Sequence, residues 1–397
     1  MKRLFTSITL ASLAAGVYAQ NVVFHNNIQD IDGNQESLWI ATSTGAVRLN
    51  ISDNQKDFYY SAQGLSGNNL YAVACDDEKV YFGSSKEGLS VYSNGSISVQ
   101  NDLFKEGYNK NIYGLKCFGK NKLAVGGLLN IYTMENGVDQ KYHSELSDLS
   151  SFVAYYDFAA DNNGNIWFCG WDLLKKSSFG YITKDKELVC IPGIYQSNSL
   201  AIDNEGCVWI GSERGLYKYD GKELTRYTSN DLGTPSDAVF GLCKTIDGRL
   251  LFGSKNNLAI FDGKKVVEQI NVPTDNSKDF VTTIFPGEDA IWVGTALSGL
   301  FKYQDGEMTK IDLTDKNAPE ISLGEQPMIG QESTNEQTNV DSILSNMKFK
   351  FQLPTAIPIE KADQAPSSPI FDLSGKKTSQ VEKGKIYIQN RKKFMIK

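Results

Sequence analysis

Two histidines limit the acid–base chemistry open to this chain. His25 stands near the N-terminus. His143 lies far from it, with Tyr142 before it and Tyr155 and Tyr156 shortly after. A histidine among phenols suits proton abstraction and return at a sugar carbon, as in polysaccharide cleavage. His143, Tyr155 and Tyr156 are therefore the candidate catalytic set. The alternative is a loop histidine packed beside aromatics. No third histidine exists for a zinc triad, and no Gly-x-Ser-x-Gly elbow occurs. Neither a metal nor a cofactor is expected, and the enzyme reading stands second to a binding one.

The binding reading rests on a different set. Gly170 and Gly180 enclose nine residues that begin Trp171-Asp172, whereas Gly211 and Gly215 enclose three, among them Glu213 and Arg214. An indole beside a guanidinium and carboxylates suits a polar ring such as a sugar. Trp171, Asp172, Glu213 and Arg214 are the candidate ligand-binding residues, expected on loops. The competing expectation for Trp171 is a hydrophobic plug against neighbouring structure.

The six cysteines are Cys75, Cys117, Cys169, Cys190, Cys207 and Cys243, all in apolar strand-like contexts. Cys75 and Cys117 recur at equivalent places and could meet, but the spacing equally fits buried thiols.

The elements that must position these residues form a repeat. A pattern of Asp, a Gly turn, Leu/Ile-Trp-Ile-Gly-Thr, then Gly-Leu and an aromatic recurs along the chain. The Trp-equivalent positions are Trp39, Tyr81, Ala124, Trp167, Trp209, Leu251 and Trp292, separated by 41 to 43 residues. Each unit reads as four short strands, A to D; in the fifth these are Leu200–Asp203, Cys207–Ser212, Leu216–Tyr219 and Leu224–Tyr227. This is the size of a propeller blade. The fold class is therefore all-β: a seven-bladed β-propeller of four-stranded blades over 20–313. Val22–His25 is left over as an extra strand that either pairs with the last blade or lies outside it.

The turns sort into two faces. Asp-x-x-Gly turns such as Asp161–Gly164 join strands A and B. Asn-Gly or Asp-Gly pairs such as Asp220-Gly221 join C and D, where two-residue hairpins demand positive φ. Both sets lie on one tight face. Asp-x-x-Gly lacks the alternating acids of a calcium loop and reads as a turn. The B–C and D–A loops lie on the other, variable face, where function usually sits.

The run Trp209-Ile210-Gly211-Ser212 … Gly215-Leu216-Tyr217 after Asp203-Asn-Glu-Gly206 resembles the two-component regulator propeller repeat. The resemblance covers about residues 29–313 and is best in blades one, four, five and seven. It implies the propeller fold and an extracytoplasmic sensor, often of glycans. These residues include no kinase-like part, so the expectation is a binding module. Its partner would be a glycan or a cell-envelope protein.

The ends carry addresses. Met1-Lys2-Arg3, the apolar Leu4 to Val17 and Val17-Tyr18-Ala19 form a signal peptide over 1–19. No later run of 18 apolar residues occurs, so no transmembrane segment is expected in the mature chain. Residues 314–354 are polar and read as a linker. The tail, 355–397, contains Phe371-Asp372-Leu373-Ser374-Gly375-Lys376-Lys377 and Lys383-Gly384-Lys385-Ile386-Tyr387-Ile388, and ends basic. It resembles the C-terminal tails of exported Bacteroidetes proteins, which are similar to type IX secretion sorting domains. That implies delivery to the cell surface or medium through the periplasm, and makes an accessory role in type IX secretion or the cell surface a third reading. The net charge is −7 and the basic residues gather at the ends. The body is acidic and repels phosphate backbones, so no nucleic-acid partner is expected.

Overall fold

The computed structural model describes residues 21–100, 110–135, 138–143, 153–172, 178–194 and 196–319, together with four short strands beyond them. The expected signal peptide 1–19, most of the expected linker, and residues 101–109, 144–152 and 173–177 lie outside the described residues.

The chain divides into two compact units, Met1–Gln331 and Glu332–Lys397. The first unit is a seven-bladed propeller, each blade an antiparallel sheet of four strands in sequence order. Blade one is Ile28–Gly33, Ser37–Thr42, Gly45–Asn50 and Lys56–Tyr59. Blade five is Ser197–Ile202, Val208–Ser212, Gly215–Tyr219 and Leu224–Tyr227, within a few residues of the sequence expectation. In the second unit, Ile370–Asp372, Lys377–Thr378, Ile386–Gln389 and Lys392–Met395 form a four-stranded sheet.

Cohesion resides between blades. Each of the seven interfaces has its own apolar core, where strand B of one blade meets strand A of the next. Trp39, Trp167, Trp209 and Trp292 sit there and are at most 7 % exposed. Trp209 packs with Leu242 and Phe252 of blade six, and Trp292 packs with Ile28 and Ile40 of blade one. Tyr81, Ala124 and Leu251 take the same place in the other three interfaces. The glycine of the Trp-Ile-Gly motif has a steric cause. A Cβ on Gly294 would stand 2.6 Å from Ile28 of the next blade, and one on Gly253 would stand 2.4 Å from Val281.

The turn face anchors these indoles. The Asp203 carboxylate accepts from the Glu205 and Cys207 amides through Oδ1, at 3.0 and 2.8 Å, and from Trp209 Nε1 through Oδ2 at 2.7 Å. Asp161 holds Asn163, Asn165 and Trp167 in the same way. Burial pushes the Asp161 carboxyl up, but the hydrogen bonds it accepts outweigh that and bring it below its ordinary value. With both oxygens of each aspartate occupied by the turn and its indole, these are turns rather than ion loops.

Ring closure combines packing with a separate ribbon. Blades seven and one share the Trp292 core, and Thr282 Oγ1 donates to the Ile28 carbonyl at 2.7 Å. The extra strand, Asn21–Phe24, pairs antiparallel with Thr314–Ala318, just past the last blade. It therefore adds to no blade, and the polar segment opens with a strand where the sequence suggested a linker. The partner Thr-Asp-Lys-Asn-Ala has low strand propensity, and only its backbone pairing reveals it.

Candidate functional site at the channel mouth

Strand A is innermost in every blade, so the seven A strands surround the axis of the propeller. Each enters from the variable face and carries a register shift near its start. Such a bulge puts an extra residue on one side of the strand and re-aims it. The residues at the shift are Tyr71 in blade two, Tyr113 in three, Tyr156 in four and Asn198 in five.

The three tyrosines touch. Tyr71 and Tyr113 have ring centroids 5.4 Å apart at 32°, and Tyr113 and Tyr156 are 6.1 Å apart, edge to face at 85°. None belongs to a blade-interface core. Tyr71 and Tyr156 are half-buried, and the Tyr71 hydroxyl bonds the side chains of Ser85 and Asn69. The exposed Glu87 lies near Tyr71, and the exposed Glu213 near Tyr156. Burial raises all three phenols above their ordinary value, with neighbouring phenols adding to it for Tyr113 and Tyr156. At neutral pH they therefore supply O–H donors and ring faces, not bases. Asn198 adds an amide. Its Oδ1 accepts from Ser199 Oγ at 2.9 Å, while its buried Nδ2 has no protein partner among the described residues.

Deeper along the A strands is a charged tier. Lys116 is exposed to solvent yet surrounded by protein, as a channel lining must be. Asp32, Asp157 and Asp30 hold its ammonium well above the usual range against burial. Burial raises Asp30 to about 7 and Asp157 to about 6. These carboxylates also bond across blades: Asp30 accepts from the Val73 amide at 3.0 Å, Asp32 from Cys75 at 2.8 Å and Asp157 from Leu200 at 2.9 Å. They thus satisfy inner-edge N–H groups that no strand covers.

The sequence-derived site residues part company here. Tyr156 reaches the channel mouth and comes close to Glu213, although the two were expected in different roles. Tyr155 is 1 % exposed and packs edge-on against Phe168 at 5.3 Å inside the interface between blades three and four. The register shift between Tyr155 and Asp157 takes Tyr156 out of the ladder, which separates the pair. His143 ends Val138–His143, the outermost strand of blade three, opposite Asn130; its side chain lies outside the described residues. Trp171 and Asp172 were expected on a loop. Instead they extend strand B of blade four, Ile166–Asp172, and pair with Ala154 and Val153. Asp172 is fully buried and Trp171 half-buried. The long partner strand, Val153–Ala160, gives them a ladder to join, so the insertion begins later than the spacing suggested. Glu213 and Arg214 are exposed in the tight turn between Ser212 and Gly215, where the Arg214 amide donates to Ser212 Oγ at 3.0 Å and the Arg214 carbonyl accepts from Arg226 Nε at 2.7 Å. Sequence reasoning missed Tyr71, Tyr113 and Asn198. The repeat spacing that aligns Tyr71, Tyr113 and Tyr156 was the signal that could have found them.

All six cysteines are free thiols. Burial pushes Cys117 and Cys243 up to about 12, and Cys75 well above the usual thiol range, so these are poor nucleophiles. Asp203, Glu205 and Cys207 bring potential ligand atoms within 4.8 Å of one another, but the Asp203 oxygens already serve the turn and Trp209. No described helix is long and apolar enough to cross a membrane.

With the ring of blades and its central tier established, the fold class is that of the seven-bladed propellers, and solved structures agree. The chain is similar to the WD40 β-propeller domain of Doa1, with 14% identity, a TM-score of 0.56, and coverage of 72% of this chain and 96% of that one. It is similar to the extracellular domain of the hybrid two component system BT3049 from B. thetaiotaomicron, with 18% identity and a TM-score of 0.56, over 71% of this chain but 40% of that one. It is also similar to streptogramin B lyase, with 14% identity, a TM-score of 0.55, and coverage of 73% and 98%. At such identities the likeness is one of fold. No family model and no curated protein matches the chain.

Proposed function

We propose that the chain is an exported binding module that holds a glycan at the mouth of its central channel. One observation carries this reading: the Tyr71, Tyr113 and Tyr156 rings touch in one tier outside every blade-interface core, with exposed Glu87 near Tyr71, exposed Glu213 near Tyr156, and Asn198 at the equivalent position of blade five. Ring faces take the C–H face of a sugar, while amide donors and carboxylate acceptors take its hydroxyls. Carboxylates at the rim repel uronates and sulfates, so a neutral glycan suits the site. The likeness to the extracellular domain of a hybrid two component system agrees with export. The C-terminal tail serves in this reading as a type IX secretion address. Raised phenol pKa values favour holding a ligand over proton abstraction, which leaves the lyase second. The test is a screen of the full secreted chain against a polysaccharide panel, recording binding and product release. Retention of a neutral glycan without cleavage supports the reading. Unsaturated products favour the lyase. Silence on every glycan, with an envelope protein co-purifying, favours the accessory role.

A further inference from the structure

The ribbon of Asn21–Phe24 and Thr314–Ala318 joins the chain before blade one to the chain after blade seven. Its apolar support is small: Val23, Tyr60 and Ala318 are buried together, with Phe58 packed against them. A polar relay does the rest. Tyr60 OH donates to Asp315 Oδ2 at 2.8 Å. Having spent its one proton there, Tyr60 accepts from His25 Nε2 at 3.1 Å. His25 is therefore the Nε2–H tautomer, and its Nδ1 must accept. Thr42 Oγ1 and Thr44 Oγ1 both lie 3.0 Å from Nδ1. Thr42 donates to the Gly45 carbonyl at 2.7 Å, which leaves the Thr44 hydroxyl to donate to His25. The imidazole is fully buried, stacked on Phe58 at 5.2 Å and 19°.

We propose that this ribbon is an acid-released clasp, held shut by neutral His25 and opened when His25 takes a second proton. A proton on Nδ1 meets the hydroxyl that is donating to it, so the Thr44 proton must turn away. It also places a full charge in a fully buried site. Asp315 is the carboxylate facing it, and it is reached through Tyr60; Phe58, Thr42 and Thr44 supply no charge. Burial holds His25 down to about 4, with Asp315 pulling the other way, whereas a released His25 returns to its ordinary 6.5. The released form therefore gains as pH falls from about 6.5 to about 4, and no further below that. The population of the released form rises about 100-fold between pH 7 and pH 4. The blade seven to blade one core contains Trp292, Ile28 and Leu300 and no histidine, so it stays closed. Release thus parts Asn21–Phe24 from Thr314–Ala318 while leaving the propeller intact.

Hydrogen exchange on the full chain, corrected for intrinsic rates, tests this. Amides of 21–24 and 314–318 should lose protection about 100-fold from pH 7 to pH 4, while strand Val208–Ser212 keeps its own. His25→Gln should flatten that step. A ribbon that tracks the blades at every pH, or a step that survives in His25→Gln, overturns the clasp. Should His25→Gln fail to hold the ribbon at all, NMR titration of the imidazole in the otherwise intact His143→Gln protein decides. A midpoint well below 6.5 supports the proposal, and an ordinary midpoint overturns it.

Discussion

Aromatic side chains serve two regions of this propeller in opposite ways. At the blade interfaces Trp209 is fully buried among Leu242, Phe252 and Phe261, its N–H bound to Asp203 and its ring under the Lys218 ammonium at 5.1 Å. At the channel mouth Tyr71, Tyr113 and Tyr156 pack on one another, near the carboxylates of Glu87 and Glu213. The difference lies at the bulges. Both faces of the inner strands meet neighbouring blades, Trp209 in the core with blade six and Val208 and Ile210 in the core with blade four. The residue at each strand A register shift belongs to neither core and is left at the inner edge, where solvent and ligand compete for it. Trp171, expected on a loop, extends a strand ladder instead.

The sharpest break of this comparison is Trp209→Ala. It removes an indole with no exposed surface and leaves a cavity between blades five and six. A loss of about 3–5 kcal/mol is expected in denaturant unfolding. A nearly unchanged midpoint would remove the indole from the load of the interface. Asp203→Ala comes next. It strips the acceptor from two turn amides and from the buried indole N–H, and should cost about 1–3 kcal/mol by the same measurement. Sharing that cost with Trp209 predicts that the double variant loses less than the sum of the single changes.

The interface half of this contrast was legible because the repeat writes it out. Trp, Gly and the turn aspartates recur at 41 to 43 residues, and each has one steric or hydrogen-bonding cause repeated around the ring. The channel half was obscured by the bulges. Leu70–Cys75 reads Leu-Tyr-Ala-Val-Ala-Cys, an apolar strand that by itself does not mark Tyr71 as axis-facing; only its alignment with Tyr113 and Tyr156 across the repeat does. A register shift changes which side a residue takes without changing composition. The ribbon was hidden for another reason. Asp315 and His25 are far apart in sequence, and the strand that brings them together is polar. No local pattern announces a pairing made by backbone and a relay.

The charged tier separates the two regions by pH. Asp30 has a carboxyl raised from 3.8 to about 7, chiefly by burial. A raised carboxyl costs nothing below its unfolded value, and its cost grows as pH rises toward the folded value. Asp30→Asn removes that cost and keeps an acceptor for the Val73 amide. The variant should therefore gain on the parent by about 3 kcal/mol between pH 4 and pH 7, seen as a difference in unfolding midpoints at the two pH values. A constant difference across that range would mean that Lys116 compensates the ionised form completely.

The smallest expected effect on stability, and the most telling for function, is at Tyr156. Tyr156→Ala removes a half-buried ring from the channel mouth but touches no blade-interface core. The unfolding midpoint should move by about 1 kcal/mol or less, because the ring fills no blade-interface core. Binding of a neutral glycan should weaken by about 1–3 kcal/mol, taking ring-on-base stacking as the scale. Tyr155→Ala is the matched control, one residue away and pointing into the core beside Phe168. It should do the reverse, costing several times more stability while leaving the affinity of the folded fraction intact. If the two neighbours instead behave alike in both measurements, the bulge does not divide axis from interface, and the tyrosine tier is one more piece of packing.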